Sequence, residues 1–493
     1  MKKKILAPVL SLMTAVLLLA GCSQSTVTPS ASTSGSTATS GTSSKSAGEF
    51  AFGLTGTFKI MVAGEQAADS IDPVTGGKIV GWNTMAAEFE TQNPGCNLEF
   101  VEVPWADYIA KLQTAAQSGE FDVLHLAAGQ NAACGDKGYV LALNDYITKD
   151  KSFDGKALYG NALWTSSAIL TDGKYFGLPK LGYTFTHLFN KKIFDDFGVK
   201  YLTNDSTWDD ILAAAKACTG VNPRTKVKTY GIFARGTSVT AFYELVQSRA
   251  QNTDFYAKWD VTNGFTGDIS KIQFTIKDNA AILSGLDYFK EMNKYATPGW
   301  VSSQGSDNFF NGDKADVAIW LDTDGGGVPK SLFDAKKYDI LANYVFIQVP
   351  AYKDAAKNGA ISRSSGNFHT WGIPASAKKP DASWQIVKFL SSKNVSKLAY
   401  DQKWLTPVFP DAISWINEKD PYSIPCIKGL ADTYNYPFIT KTSAYAAFNS
   451  RMIDLYSNYV TGVYTREACV EKLAKIQTDM EAWRDNAVKN KTR

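Results

Sequence analysis

General acid–base chemistry has few places to reside in this 493-residue chain, which holds only three histidines, His125, His187 and His369. His187 lies in the stretch GLPKLGYTFTHLFNKKIF, Gly177 to Phe194, with Tyr183, Phe185 and Phe189 at alternate positions around it. A period of two is that of a strand, so these four rings share one face. A general base wants a carboxylate or nucleophile to orient it, and none is identifiable near His187. It reads as a structural or merely polar histidine. His125 falls inside the apolar run FDVLHLAAG and reads as a core histidine. The local signatures of other chemistries are missing: there is no G-x-S-x-G, no H-E-x-x-H, no G-x-x-x-x-G-K-[ST] and no G-x-G-x-x-G after a strand. Gly325-Gly326-Gly327 has no Lys-Ser/Thr behind it and reads as a permissive turn. DKSFDG (150–155) and DTDGGG (322–327) space their carboxylates like the start of a calcium loop. Their twelfth positions are Asn161 and Phe333, where that loop needs a bidentate Glu, so no metal site is expected. A pair of glycosidase carboxylates need only meet in space, so a glycoside hydrolase stays open as a reading.

Strands and helices alternate in the elements that would position any site. TFKIMVAG is a short apolar strand beginning near Thr57, and WNTMAAEFETQNPG repeats Trp82, Met85, Ala86 and Phe89 at helical spacing until Asn93-Pro94-Gly95. CNLEFVEVPW reads as a strand, ADYIAKLQTAAQSG as a helix stopped by Gly119, and FDVLHLAAG as a buried strand. The alternation predicts a mainly parallel sheet in an α/β fold. STWDDILAAAKACTG is a helix capped by Thr207, and DVAIW and YVFIQVP read as buried strands. DASWQIVKFLSS and CVEKLAKIQTDMEAW are amphipathic helices. Residues 222–280 read as loops or an insertion. No repeat of 20–50 residues is present, which argues against a solenoid.

The first 21 residues read as a signal peptide: Lys2, Lys3 and Lys4, an apolar run from Ile5 to Leu19, then Leu19-Ala20-Gly21-Cys22. Ser23 to Ser46 is nearly all Ser, Thr, Gly, Ala and Pro, a composition that cannot bury enough apolar surface to fold and reads as a tether, with residues 22–56 leading to the folded part. Loss of residues 1–21 would leave 48 basic against 48 acidic residues, a balance with no global pull toward nucleic acid or anionic lipid. Five cysteines remain after Cys22, none in a C-x-x-C pair, and zinc-like spacing is absent. The 23 Tyr and 12 Trp suit a wet, ring-lined cleft.

Several ordered stretches resemble the extracellular solute-binding proteins of bacterial ABC importers, specifically the sugar-binding family 1 that includes maltose-binding protein. They are AAEFETQNPG, LEFVEVPWADYIAKLQTAAQSGEFDVLHL, YFGLP, LFNKKIFDDFGV, TWDDILAAAK, FFNGDKADVAI and WGIPASAKKPDASWQIVKFL. The Leu-Ala-Gly-Cys ending resembles the bacterial lipobox, which implies acylation of Cys22. The chain departs from the family at Phe189, often Tyr there, at Asp316, often Met, and at Asn367-Phe368-His369, often glycine-rich.

The resemblance implies a two-lobed α/β fold of the periplasmic-binding-protein type, class II. Residues 57–180 and 350–395 would form the N-terminal lobe, and 181–349 and 396–493 the C-terminal lobe. The chain would cross near Pro179 to Thr184 and again near Phe346 to Pro350. Gly129 and Gln130 fall at a polar ligand position of the family, and Tyr183 at another on the crossing. Trp320, Asp322 and Asp324 follow on the second lobe; an acid at Asp322, where the family often stacks a ring, suggests hydrogen bonding or a cationic substituent. Asn367, His369 and Trp371 would line the returning lobe, and Tyr445 the C-terminal region. The implied protein is a monomer without cofactor or catalysis. Its partners are a carbohydrate, the permease subunits of an ABC transporter and the membrane through the acyl anchor, with no nucleic acid. The rivals are a lipid-anchored secreted glycoside hydrolase and an adhesive or structural surface lipoprotein.

Overall fold

The computed structural model describes residues 49–490 apart from 72–77, 128, 160–163, 165–172, 185, 235–237, 251–255, 259–268, 303–307, 324–331, 334, 350–365, 404–408, 410 and 416–443. Its principal strands in chain order are β1 (Gly56–Ala63), β2 (Cys96–Val103), β3 (Val123–Leu126), β4 (Leu178–Thr184), β5 (Thr186–Asn190), β6 (Gly220–Val221), β7 (Lys228–Ala234), β8 (Val317–Thr323), β9 (Tyr344–Gln348) and β10 (Gly366–Gly372). They form two five-stranded sheets of order β2-β1-β3-β10-β4 and β9-β5-β8-β7-β6.

The first sheet is covered on both faces. Along β1, Phe58, Ile60 and Val62 enter one core while Met61 and Ala63 enter another, the near-continuous apolar run of a central parallel strand. The first core is closed by α1 (Trp82–Gln92), which buries Trp82, Met85, Ala86 and Phe89 at three- and four-residue intervals. The second is closed by α2 (Trp105–Ser118) through Tyr108, Leu112, Ala115 and Ala116. β1 runs parallel to β2 and β3, whereas β10 is antiparallel to both β3 and β4. A mixed sheet thus replaces the mainly parallel one expected, because β10 returns from the other sheet.

The second sheet and its helices share one core. The seven-residue α3 (Gln130–Asp136) follows β3 on the first sheet, while in the core of the second sheet α4 (Trp208–Ala217) opens with Thr207 and Asp210 in a reciprocal capping box. Residues 222–280, read as loops or an insertion, instead supply β7 and α5 (Val239–Arg249) to the middle of this core. Ala241, Phe242, Tyr243, Leu245 and Val246 are all buried, so α5 is enclosed on several sides and shows no amphipathic stripe. α6 (Ala280–Met292) follows in the same core, α7 (Pro380–Leu390) and α8 (Lys393–Lys403) pack in the first core, and α9 (Tyr445–Val460) and α10 (Arg466–Asn490) close the chain. α9 and α10 send Phe448, Met452, Leu455, Tyr456, Leu473, Ile476 and Met480 into the core of the second sheet.

Three expected boundaries shift. The folded part starts before Thr57, since Phe50 is buried edge-on against Phe389 and its N–H donates to Gln92. β4 pairs with β10 as far as Thr184, opposite Gly366, while Thr186 already pairs in the second sheet, so the change of sheet falls between them and not within Pro179–Thr184. On the return, β9 stays in the second sheet through Gln348 and β10 is in the first. The chain then remains with the first sheet beyond residue 395, because Val395, Ala399, Phe409 and Ala412 are buried in its core.

The DKSFDG turn is an internal clamp. Asp150 accepts from Ser152, from Trp384 Nε1 at 3.0 Å and from Lys388 Nζ at 2.5 Å. Burial alone would raise its pKa, but these donors hold it well below the usual carboxylate range. Most of DTDGGG lies outside the described residues, as does Cys22. Among the described residues, Cys96, Cys134, Cys218 and Cys469 are buried free thiols, and no helix is long and apolar enough to cross a membrane.

Candidate ligand-binding site

Strand direction marks the edge at which a ligand would meet both sheets. β1 and β3 are parallel and end at Ala63 and Leu126. Thr370 of β10 pairs with Leu126, so residues before Thr370 lie past the end of β3, and β4 and β10 run on together as a two-stranded ribbon to Thr184 and Gly366. In the second sheet β7 and β8 are parallel, and Thr323 at the end of β8 pairs with Thr186, the first residue of β5. The chain therefore passes from one sheet to the other at the carboxyl edge of both, the place where open α/β sheets bind ligands.

A buried polar cluster backs this edge on the first sheet. Lys180 on β4 is 1 % exposed at its side chain, and its ammonium lies 2.6 Å from Glu65, which follows β1 and is 11 % exposed. The ammonium stands 5.1 Å from the Trp82 ring and 4.9 Å from the Trp371 ring, held between two indoles. Trp82 Nε1 donates to the other Glu65 oxygen at 2.5 Å. His125 Nδ1 accepts the Ala63 N–H at 3.1 Å and lies 3.5 Å from Lys180 Nζ. Since Ala63 N–H can only donate, the neutral His125 ring carries its proton on Nε2 and donates to His369 Nδ1 at 2.8 Å. His369 then carries its own proton on Nε2. Burial, and next the neighbouring ammonium, push His125 well below the usual imidazole pKa and His369 down to about 3.

The sequence-derived candidates divide three ways. Gly129 takes a left-handed conformation, φ 77°, just past β3, and Gln130 opens α3 half-buried beside it. Tyr183 and Asn367 are register partners on the ribbon. His369 belongs to the cluster above. Trp320 on β8 is half-buried against Phe233, Phe309 and Phe310. Asp322 is in β8 and Tyr445 opens α9, but the side chains of Tyr183, Asp322, Asn367 and Tyr445, and all of Asp324, lie outside the described residues. Trp371 is a correction: it is 0 % exposed, sealed between Trp82, His125 and the Lys180 ammonium in the core of the first sheet. The extra residue at the register shift lies in β4, between Pro179 and Gly182, so β10 keeps its alternation: Trp371 is on the same side as His369, both against His125, but one strand step deeper inside the sheet.

Residues 75–397 match the family described as bacterial extracellular solute-binding protein. The chain belongs to that family. This bears out the resemblance read from the ordered motifs. A binding protein of Brucella abortus is 28 % identical over 183 residues, which are 36 % of this chain and 41 % of that relative's length. A solved ABC substrate-binding protein of Listeria monocytogenes, in complex with cycloalternan, superposes with a TM-score of 0.64 at 20 % identity, covering 87 % of this chain and 99 % of that one. A solute-binding protein of Thermotoga lettingae bound with alpha-D-tagatose gives 0.64 at 20 % identity, over 86 % and 99 %. These likenesses carry the two-lobed α/β fold for this solute-binding protein.

His187, suspected of no chemistry, is fully buried edge-on against Trp208, and burial drives its pKa down to about 3. Sequence reasoning passed over Glu65, Lys180 and Trp105. Each carried a local signal: Glu65 and Trp105 are the first charged or aromatic residues after β1 and β2, and Lys180 is a lone cation in an apolar strand.

Proposed function

We propose that this solute-binding protein captures a carbohydrate or polyol between its two lobes and delivers it to the permease of an ABC importer, without catalysis of its own. The observation that carries the reading is the passage of the chain from sheet to sheet at the carboxyl edge of both, in a member of this family. The solved relatives hold a cyclic oligosaccharide and a ketose at 20 % identity, which supports a sugar as the ligand class. Gly129, Gln130, Tyr183, Asn367 and His369 on the first lobe, and Trp320, Asp322, Asp324 and Tyr445 on the second, are proposed to supply the contacts. A few convergent polar groups and rings in a concave site suffice for a polyhydroxylated ligand. We assign Cys22 as the acylated anchor, 1–21 as the signal peptide and 22–56 as the tether, and read the mature protein as an extracytoplasmic monomer attached to the membrane.

A thermal-shift screen against mono-, di- and oligosaccharides and polyols tests this. A ligand at 100 times its dissociation constant adds about 2.7 kcal/mol to stability, a visible rise in Tm. Mass analysis of the incubated ligand should show it unchanged. The absence of a shift across the panel would refute sugar capture, and product formation would favour a glycoside hydrolase.

A further inference from the structure

Trp105 is a large aromatic left half outside every core: it is 48 % exposed, yet its position is set from three sides. It is the first residue of α2, directly after Pro104, which follows β2. Its ring stands edge-on to Tyr108 at 5.3 Å, to His125 at 5.9 Å and to His369 at 5.8 Å. Gly64, φ 61°, lies against the indole edge, where a Cβ would come within 1.9 Å of Nε1, so the ring rests on bare backbone at the exit of β1. The supporting rings are themselves tied down. Tyr108 Oη donates to the His125 carbonyl and accepts from Ala127 N–H, and His125 bonds His369. An indole held this way loses little conformational freedom when something stacks on it, which favours binding.

We infer that Trp105 is the stacking platform of a second sugar subsite, and that the protein therefore selects oligosaccharides over single sugars. This rests on the carbohydrate reading above. The C–H face of a pyranose is apolar and its rim polar, which matches an exposed indole at the exit of β1. Asn367 stands two residues before His369 on β10, about 6–7 Å of strand further past the end of β3, a step comparable to one ring of a glycosidic chain. One ring of the ligand lies by the β4–β10 ribbon, and the next lies over Trp105.

Calorimetric titration of the wild type, Trp105→Ala and Trp105→Phe decides the matter. The probes are glucose, maltose and maltotriose, mannose and mannobiose, galactose, tagatose, mannitol and cycloalternan. The wild type should favour an oligosaccharide over its own monosaccharide. Trp105→Ala should weaken that oligosaccharide about tenfold or more while the monosaccharide stays within about twofold, and Trp105→Phe should keep most of the affinity. Because half of the ring faces out, both variants should keep the far-ultraviolet circular dichroism of the fold; Trp105→Leu, which keeps bulk but has no ring to stack, carries the comparison if the alanine variant does not fold. Equal losses for both ligand sizes, or none for either, would overturn the second subsite while leaving sugar capture standing. A wild type that binds no probe would overturn both.

Discussion

Removing the Glu65 charge should cost this protein more than removing the Lys180 charge, although the two form one ion pair. At 2.6 Å and an effective dielectric near 20, their attraction is about 6 kcal/mol, against a desolvation penalty of several kcal/mol for each ion. The pair is therefore close to break-even, and what matters is what each deletion leaves behind. Glu65→Gln removes the carboxylate opposite an ammonium whose side chain is 1 % exposed, a loss of about 3–5 kcal/mol reduced by the two indole faces to about 3. Lys180→Met puts a pliable apolar side chain between Trp82 and Trp371. The Glu65 carboxylate it leaves is 11 % exposed and keeps the Trp82 Nε1 donor, so about 1–2 kcal/mol should be lost. The double variant should be less damaged than the sum by about 2 kcal/mol, since no charge is then left alone. Urea denaturation at pH 7 of the four proteins, compared at equal m, measures all three numbers. A Lys180→Met loss equal to or above that of Glu65→Gln, or an additive double variant, would refute the account of the cluster.

Two further outcomes follow from buried ionisable groups. His187 has a folded pKa of about 3 against 6.5 unfolded, so the unfolded chain takes the proton first and stability falls as pH drops from 6.5 toward 3. The fall is about 2 kcal/mol between pH 7 and pH 5, with Glu244 Oε2 at 3.8 Å too distant to offset burial, and His187→Gln should flatten the stability profile by that amount; an unaltered slope would count against it. Asp150→Asn should destabilise the protein at pH 7 by about 1.5–3 kcal/mol through weaker bonds from Lys388 and Trp384. Since the folded carboxyl titrates below its unfolded value of 3.8, the wild-type advantage should shrink as pH falls through that value, and coincident unfolding curves at pH 7 would dismiss the clamp.

The frame was legible wherever one side of an element met a core. Trp82, Met85, Ala86 and Phe89 announce α1 by spacing alone, and Thr207 with Asp210 announces the start of α4. Where burial surrounds an element the pattern disappears, which is why residues 222–280 read as loops or an insertion although β7 and α5 sit at the centre of the second lobe. The lobe boundaries were displaced for a related reason. A strand such as β4 keeps its alternation until its last residue, and only the identity of its hydrogen-bonded partner tells which sheet it belongs to.

Side chains near the carboxyl edge were harder, because the same residue type serves core and site. Trp371 and Trp105 are both tryptophans beside His125, and composition does not separate them. Position in the sheet does: Trp371 pairs with His125 inside the first sheet and lies against the Lys180 ammonium, whereas Trp105 opens α2 after β2 has ended and keeps 48 % of its surface exposed. Lys180 shows the same limit from the opposite side. A cation in an apolar strand is visible in the sequence, but its tolerance depends on Glu65 just after β1, Trp82 from α1 and Trp371 from β10, residues 115, 98 and 191 positions away. Such a cluster forms only once β1, β10 and β4 are in register and α1 is docked. Its disruption should therefore weaken the first lobe as a whole and not one element of it, which is the reason the Glu65 and Lys180 variants report on the edge that carries the proposed ligand contacts.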